Sequence, residues 1–324
     1  MVKAIRVHEA GGPEVLRYED FELAPPGPGE VQIRQHAVGV NYIDVYYRKG
    51  AYPVPSKPFI LGNEGAGEIA ALGEGVTKFK IGDRVAYAGP LGGYAQARNI
   101  EAKFVVPLPE NVSYETAAAM MLKGLTAEYL LFRSYKVQPG DTILVHAAAG
   151  GVGLILCQWA KALGATVIGT VGSEEKAKLA REAGADETIL YRQEDWVARV
   201  REITGGKLCH AVYDSVGKTT FPGSLDCLRP FGSFISFGSA SGPIEAFDIG
   251  LLSQKGSLYA QRPSLFTYMA DEARLREMAA RLMEAVGSGK VKIAINARYK
   301  LEDAAQAHRA LEGRETTGAT VLLP

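Results

Sequence analysis

Cysteine is scarce in this chain: Cys157, Cys209 and Cys227 are the three among 324 residues. An odd, scattered set excludes a disulfide framework, has no metal-ligand spacing, and suits a reducing compartment. Excess charge of either sign is missing too, because 36 Lys and Arg balance 36 Asp and Glu. No overall field therefore draws the chain to nucleic acid or to an anionic membrane. Long apolar runs are absent. Even Ala117–Leu122 is stopped by Lys123, far short of the roughly 18 residues that mark a membrane span. The residues from Met1 to Glu9 lack the apolar stretch of a signal peptide, so a soluble cytoplasmic protein is expected. What is plentiful is glycine, 37 residues, well above the usual share of about 7%. Many turns must adopt positive φ, or the backbone must approach something closely.

The length suits two domains rather than one. Up to about residue 122, short alternating runs (Lys3–Val7, Val31–Val40, Glu68–Leu72, Arg84–Tyr87) are punctuated by Gly and Pro. They predict small antiparallel strands in a sandwich or barrel-like unit. From Asp141 to Arg262 the rhythm becomes strand, helix, strand. Apolar runs at Thr142–Ala147, Thr166–Val171, Thr188–Tyr191, Ala211–Tyr213, Phe234–Phe237 and Ser257–Ala260 alternate with amphipathic segments. In Val152–Leu163, apolar residues at 152, 155, 156, 159, 160 and 163 form one helical face, and Gly164 is a natural stop. Six strands with intervening helices imply a doubly wound parallel sheet. Beyond Pro263 come helices near Asp271–Gly287 and Glu302–Glu312 and a final strand Ala319–Leu323. The predicted division is residues 1–122 with 264–324 as one domain and 123–263 as a nucleotide-binding domain inserted between them.

At the first strand–helix junction stands His146-Ala-Ala-Ala-Gly-Gly-Val-Gly153. Against the dinucleotide fingerprint GxGxxG, Ala148 replaces the first glycine while Gly150 and Gly153 remain. The former lets backbone approach a pyrophosphate, and the latter lets helix and strand pack closely. Free amides at the start of the helix would hold the diphosphate. The second strand ends at Val171 without the carboxylate that an NAD site uses to bind ribose. Ser173 is placed to cap the next helix, and Lys176 stands three residues on, where a capping box has Glu or Gln. Lys176 is either a solvated lysine beside Glu174 and Glu175 or, with Ser173, a partner for a 2′-phosphate.

The run Gly140-Asp141, Leu144, Ala148-Ala149-Gly150-Gly151, Gly153, Gln158 and Lys161 resembles the signature of quinone oxidoreductases, the zeta-crystallin-like branch of the medium-chain dehydrogenases/reductases. Gly62-x-Glu64-x-x-Gly67, Gly82–Val85, Gly39–Asp44, Val212–Gly217, Ser236–Gly238 and Arg262-Pro263 extend the resemblance almost end to end. It implies a GroES-like, β-rich catalytic domain around a Rossmann domain, NADPH and a quinone in the interdomain cleft, and a homodimer. Cofactor contacts implied by motif match are Asn41, Thr126, Gly150, Gly151, Val152, Ser173, Lys176, Tyr191, Ser215, Phe237, Gly238 and Arg314. Lys176, Tyr191 and Arg314 would lie near the 2′-phosphate. Zinc-dependent superfamily members have cysteine at the place of Asn41 and histidine at that of Asn63, plus a lobe of four clustered cysteines. This chain lacks all three features, so no metal is expected.

Metal-free reduction needs hydride from the cofactor and a site that orients the acceptor. Asn41, Tyr46 and Tyr52 supply amide and phenol donors on a loop expected near the nicotinamide. Tyr46 is the preferred proton source, although water can protonate a hydroquinone. Arg262 could stabilise negative charge growing on a reduced oxygen. Glu64 and Asp44 resemble an acid/base pair but read better as structural, with Glu64 bonding backbone or an arginine. His146 reads as a core or cofactor-adjacent residue. Two alternatives accompany the quinone reductase reading. One is an NADPH-dependent enone or 2-alkenal reductase of the same fold. The other is a nonenzymatic NADPH- or RNA-binding protein, against which the absence of an arginine-rich or aromatic RNA motif weighs.

With no carboxylate at Val171 and charge-assisted donors near Ser173, NADPH should be preferred over NADH roughly 10- to 1000-fold in kcat/KM. Val171→Asp combined with Lys176→Glu should reduce or invert that ratio. Equal use of the two cofactors by the wild type at low salt would overturn the expectation.

Overall fold

Strands follow one another from Val2 to Pro107, joined by glycine and proline turns. The computed structural model describes every residue of the chain except Pro55 and Arg314. Along this first stretch run β1 (Val2–Val7), β2 (Leu16–Phe21), β3 (Glu30–Val40), helix α1 (Tyr42–Arg48), β4 (Phe59–Ile60), β5 (Glu64–Leu72), β6 (Arg84–Ala88), β7 (Ala97–Glu101) and β8 (Val105–Pro107). β1 pairs antiparallel with both β2 and β4. β3 is the hub of a second sheet, antiparallel to β5 and β7, with β6 and β8 continuing beyond β5. Its Val31 and Ile33 face a core of Ile69, Val85, Tyr87 and Ile100. From Ala37 onward it is buried on both faces.

Helix α2 (Tyr114–Tyr129) ends in a π turn over Leu130–Ser134. There follow β9 (Thr142–His146), α3 (Gly151–Ala162), β10 (Thr166–Val171), α4 (Glu174–Glu182), β11 (Glu187–Leu190), α5 (Trp196–Ile203), β12 (Cys209–Asp214), α6 (Phe221–Asp226), β13 (Leu228–Ser236), α7 (Gly250–Gln254) and β14 (Tyr259–Gln261). The six strands form one parallel sheet in the order β11-β10-β9-β12-β13-β14. The chain reverses its direction of winding between β9 and β12, the place where such sheets open a crevice at their carboxyl ends. The predicted doubly wound sheet is present, with the predicted strands shifted by a few residues at most of their ends.

The chain closes with α8 (Leu265–Met269), α9 (Glu272–Gly287), β15 (Ile295–Lys300), α10 (Ala304–Glu312) and β16 (Ala319–Leu323). β16 returns to pair antiparallel with β3, and β15 lies parallel to β16. One compact unit comprises Met1–Leu125, Met269–Gly287 and Ile293–Pro324; the other comprises Thr126–Tyr268 and Ser288–Lys292. The boundaries fall inside α2 and α8 rather than ahead of Lys123 and after Pro263. Residues 288–292, expected with the terminal parts, pack with the nucleotide unit. There Gln158 exchanges two hydrogen bonds with the Lys292 backbone, at 3.0 and 2.8 Å. Among the described residues, no helix is long and apolar enough to cross a membrane.

The sequence reading passed over β2, β4, β7, β8, β15, α2 and α8, and the segment expected as a loop after Asn41 is helix α1, which carries Tyr46. Neither β2 nor β15 has a fully buried residue; β2 carries three charges in six residues, and the alternation of β15 (Ile295, Ala297 and Tyr299 against Asn296, Arg298 and Lys300) went unused. α2 runs through Ala117–Met121, all buried, and so presents no amphipathic stripe.

Gly153 lies where α3 crosses the end of β9. A Cβ there would stand 2.4 Å from Ala147 O and 2.7 Å from Ala148 O. Gly153→Ala should therefore destabilise the nucleotide unit by about 1–3 kcal/mol, read as a lower urea midpoint. An unchanged midpoint would show that the helix can move aside.

Candidate active site

The carboxyl ends of the parallel strands present three loops, and the predicted cofactor residues other than Asn41, Thr126 and Arg314 sort onto them. Gly150 is the N-cap of α3 with no side-chain cap, and the first helical bond runs from Leu154 N to Gly150 O. The amides of Gly151, Val152 and Gly153 thus have no intrahelical acceptor and form the anion-binding end of a 12-residue helix. Ser173 caps α4 and accepts from Lys176 N at 3.3 Å. Tyr191 N donates to Val171 O at 3.2 Å, and its hydroxyl lies 2.9 Å from where a Cβ on Gly172 would stand. Ser173 and Tyr191 are thereby brought together, with Lys176 one helical turn away. Arg314 lies outside the described residues.

The third loop follows β12. Asp214, fully buried, accepts from Val216 N (2.7 Å) and Gly217 N (3.0 Å) and so fixes the turn that carries Ser215. Phe237 N donates to Asp214 O at 2.8 Å, and a Cβ on Gly238 would meet Ser215 O at 2.5 Å. Arg262 braces the same region, its Nη1 donating to Ser236 O (2.8 Å) and its Nη2 to Ser239 Oγ (3.3 Å). Thr126 is buried on α2. Uncapped amides, a carboxylate-free tip at Val171 and small residues along the loop fit a phosphorylated dinucleotide.

The other unit carries Asn41, Tyr46 and Tyr52. Asn41 N-caps α1, and its Nδ2 donates to Glu64 Oε1 at 2.6 Å. Glu64 also accepts from Leu122 N (2.6 Å) and from Lys123 Nζ (2.8 Å), which reaches Val40 O as well (3.2 Å). The carboxylate is fully buried and Lys123 nearly so. Glu64 thus bonds backbone as expected, but its cation is a lysine and not an arginine. Asn63 turns away, donating to Gly89 O at 2.9 Å. Among the described residues, no three His, Cys, Asp or Glu gather as a metal site. Two amides and an ammonium do not fit a zinc ion, which takes thiolate, imidazole and carboxylate donors.

Asp44 closes the first turn of α1, accepting from Asn41 N (2.8 Å) and Tyr94 Oη (2.9 Å). Tyr94 Oη also meets His308 Nε2 at 3.1 Å, and His308 Nδ1 meets Arg48 Nη1 at 2.9 Å. Arg48 is fully buried and donates to Glu312 Oε2 at 2.6 Å. Burial and the Arg48 charge push His308 down to about 3, so it stays neutral. These hydrogen bonds tie α1, which carries Tyr46 and Tyr47, to α10. Tyr46 packs on Tyr42 and Tyr52 with centroids 5.3 and 5.2 Å apart, and Tyr47 on Tyr52 at 5.5 Å. Cys157 is buried, with its thiol pushed up to about 12, as expected of core filler.

Sequence reasoning missed Lys123, Asp214, Thr170 and Ser224 as supports of these sites. Lys123 carried a signal: a lysine interrupting a fully buried apolar helix needs a buried partner. Thr170 and Ser224 meet His146 from 24 and 78 residues away, while Asp214 has local partners but no local sign that it would be buried.

An alcohol dehydrogenase GroES-like domain matches residues 27–110, and a zinc-binding dehydrogenase domain matches residues 151–285. The quinone oxidoreductase of Pseudomonas aeruginosa is 54% identical over all of both chains. A 2-haloacrylate reductase of a Burkholderia species is 44% identical over all of this chain and 99% of its own. The crystal structure of Escherichia coli quinone oxidoreductase complexed with NADPH is 49% identical, with TM-score 0.97, over 99% of this chain and 100% of its own. Fold and matches together define a medium-chain dehydrogenase/reductase. The chain belongs to the quinone oxidoreductase family of that superfamily.

Burial holds Asp44 up to about 7, outweighing the hydrogen bonds from Asn41 and Tyr94. An acid whose folded pKa is raised adds stability below about pH 4 that is lost as pH climbs through 7. Asp44→Asn keeps an acceptor for both donors and removes the titration. Between pH 4 and 8 its stability should gain on the wild type by up to about 4 kcal/mol. A constant difference in thermal midpoint across that range would refute this.

Proposed function

We infer that this chain is a zinc-independent NADPH:quinone oxidoreductase. The observation that carries the reading is the uncapped glycine turn before α3 beside a phosphate-tolerant second strand, in a chain of the quinone oxidoreductase family. NADPH, when bound, supplies the hydride. The amides of Gly151 and Val152 would hold its diphosphate, and Ser173, Lys176 and Tyr191 its 2′-phosphate, with Arg314 assigned there by motif. Ser215, Phe237, Gly238, Thr126 and Asn41 are assigned to the rest of the cofactor.

The acceptor's demands are those of a flat, electron-poor ring, which aromatic faces bind and hydroxyls orient. Tyr46 and Tyr52 offer both on one half-buried surface. Tyr46 is assigned the proton delivered to the reduced oxygen, and Arg262 the positive charge that favours that oxygen's anion. The Lys123 ammonium neutralises Glu64 beside Asn41, so that buried carboxylate needs no metal to balance it.

A homodimer is the proposed assembly. β14 ends the sheet and pairs with β13, and all three of its residues are exposed. Tyr259 is 66% exposed and Phe231, beside that edge, 65%. A partner strand would cover such an edge. Three buried free thiols suit the cytoplasm.

The test is NADPH oxidation with ortho-quinones, para-quinones and 2-alkenals after exhaustive chelation. Quinone turnover should survive chelation, and Tyr46→Phe should lower kcat/KM for quinone about 10- to 100-fold with NADPH affinity unchanged. Faster turnover of 2-alkenals than of any quinone would favour the enone reading, which the likeness to a 2-haloacrylate reductase supports.

A further inference from the structure

The glycine turn opens on a strained residue. Ala147 has φ 54°, in the left-handed region where a Cβ is disfavoured. Such a conformation persists where its surroundings over-determine it, and it accompanies functional loops. Two backbone bonds pin the turn, Ala148 N to Thr170 O at 3.1 Å and Gly150 N to Ala147 O at 2.9 Å. A further restraint comes from His146, which directly precedes the strained residue and is 2% exposed.

His146 bridges neighbouring strands. Its Nδ1 lies 2.9 Å from Thr170 Oγ1 and its Nε2 3.1 Å from Ser224 Oγ, with the Trp196 ring perpendicular at 4.9 Å. Ser224 Oγ lies 3.0 Å from Asp214 Oδ2, which also accepts from Thr220 Oγ1 at 2.7 Å. Proton bookkeeping sets the direction of the chain. The Ser224 hydroxyl has one hydrogen and two acceptors within reach, Asp214 Oδ2 at 3.0 Å and Thr220 O at 2.9 Å; given to either, it leaves the Ser224 oxygen to accept from His146 Nε2–H. His146 Nδ1 is then the acceptor for the Thr170 hydroxyl. Burial pushes His146 below the ordinary imidazole range and so favours the neutral ring. Thr170, His146 and Asp214 sit at the carboxyl ends of β10, β9 and β12, three adjacent strands. Each is followed by one of the loops assigned to the cofactor.

We propose that Thr170, His146, Ser224 and Asp214 are positioning residues for NADPH binding. The chain clamps three strand ends in register and holds Ala147 in the strained turn that aims the Gly151 and Val152 amides. None of the four need touch the cofactor. The inference rests on the NADPH reading above.

Equilibrium NADPH binding, by cofactor fluorescence or calorimetry, tests it. His146→Phe keeps a flat ring against Trp196 and deletes both hydrogen bonds; it should weaken NADPH about 10- to 100-fold and leave KM for quinone unchanged. Thr170→Val, which removes one hydroxyl at constant volume, should cost about 3- to 10-fold and carries the same test if His146→Phe does not fold. A glycine at 147 adopts the turn without strain, so Ala147→Gly should restore about threefold or more in either background. It should restore nothing in Lys176→Ala, whose loss is a direct contact. A folded His146→Phe or Thr170→Val protein that binds NADPH as the wild type does would overturn the inference, as would absence of rescue by Ala147→Gly. Failure of the wild type to bind NADPH would instead overturn the cofactor reading, and the inference with it.

Discussion

The nucleotide unit depends on a missing side chain. At Gly153 the first turn of α3 passes so close to the end of β9 that a Cβ would stand 2.4 Å from a carbonyl oxygen. That approach points the uncapped amides of the helix outward from the sheet's carboxyl edge, where helix dipole and free N–H groups favour a phosphate. It also forces a sharp turn between strand and helix, and the strain of that turn falls on Ala147. The buried polar chain beneath the turn is then intelligible, because a strained loop on an open edge would otherwise relax. Close packing, anion binding and buried hydrogen bonding are three consequences of one steric fact.

The β-rich unit is organised around a buried charge. Taking Glu64 and Lys123 out of water costs more than their attraction returns unless every donor and acceptor is engaged. Here Glu64 takes an amide side chain, a backbone N–H and the ammonium, and Lys123 takes a backbone carbonyl too. Removing either partner would leave an unpaired buried ion. Superfamily members with a catalytic zinc have thiolate and imidazole donors in this part of the chain. This chain has two asparagines there, and the Lys123 ammonium pairs with Glu64. The family's domain name and this chain's chemistry thus diverge for a local reason.

How much was legible follows from the range of the forces. The apolar stripe from Val152 to Leu163 and the runs that became β9 and β10 were readable because strand and helix periods are local. Ser173 was readable as a cap for the same reason, since its hydroxyl bonds an amide three residues away. Lys123 was noticed as the end of an apolar run, but the carboxylate that explains it stands 59 residues earlier. β2 carries too little apolar alternation to be seen, whereas β15 alternates at every position and was legible but not read.

Composition, glycine spacing and hydrophobic period determined by themselves the doubly wound sheet, the β-rich partner unit, the turn before α3 and the lack of a carboxylate at Val171. These depend on contacts within a turn or two and on what residue types are present. Only the tertiary structure decided that Asp44 would be buried with a raised pKa, and that Arg48 and His308 would join α1 to α10. It also decided that Thr170, His146, Ser224 and Asp214 would line up across three strand ends. The reason is that a hydrogen bond between residues as far apart as Arg48 and His308 leaves no local mark on either segment. Its partners become neighbours when the sheets close, and burial then makes each of those bonds expensive to lose.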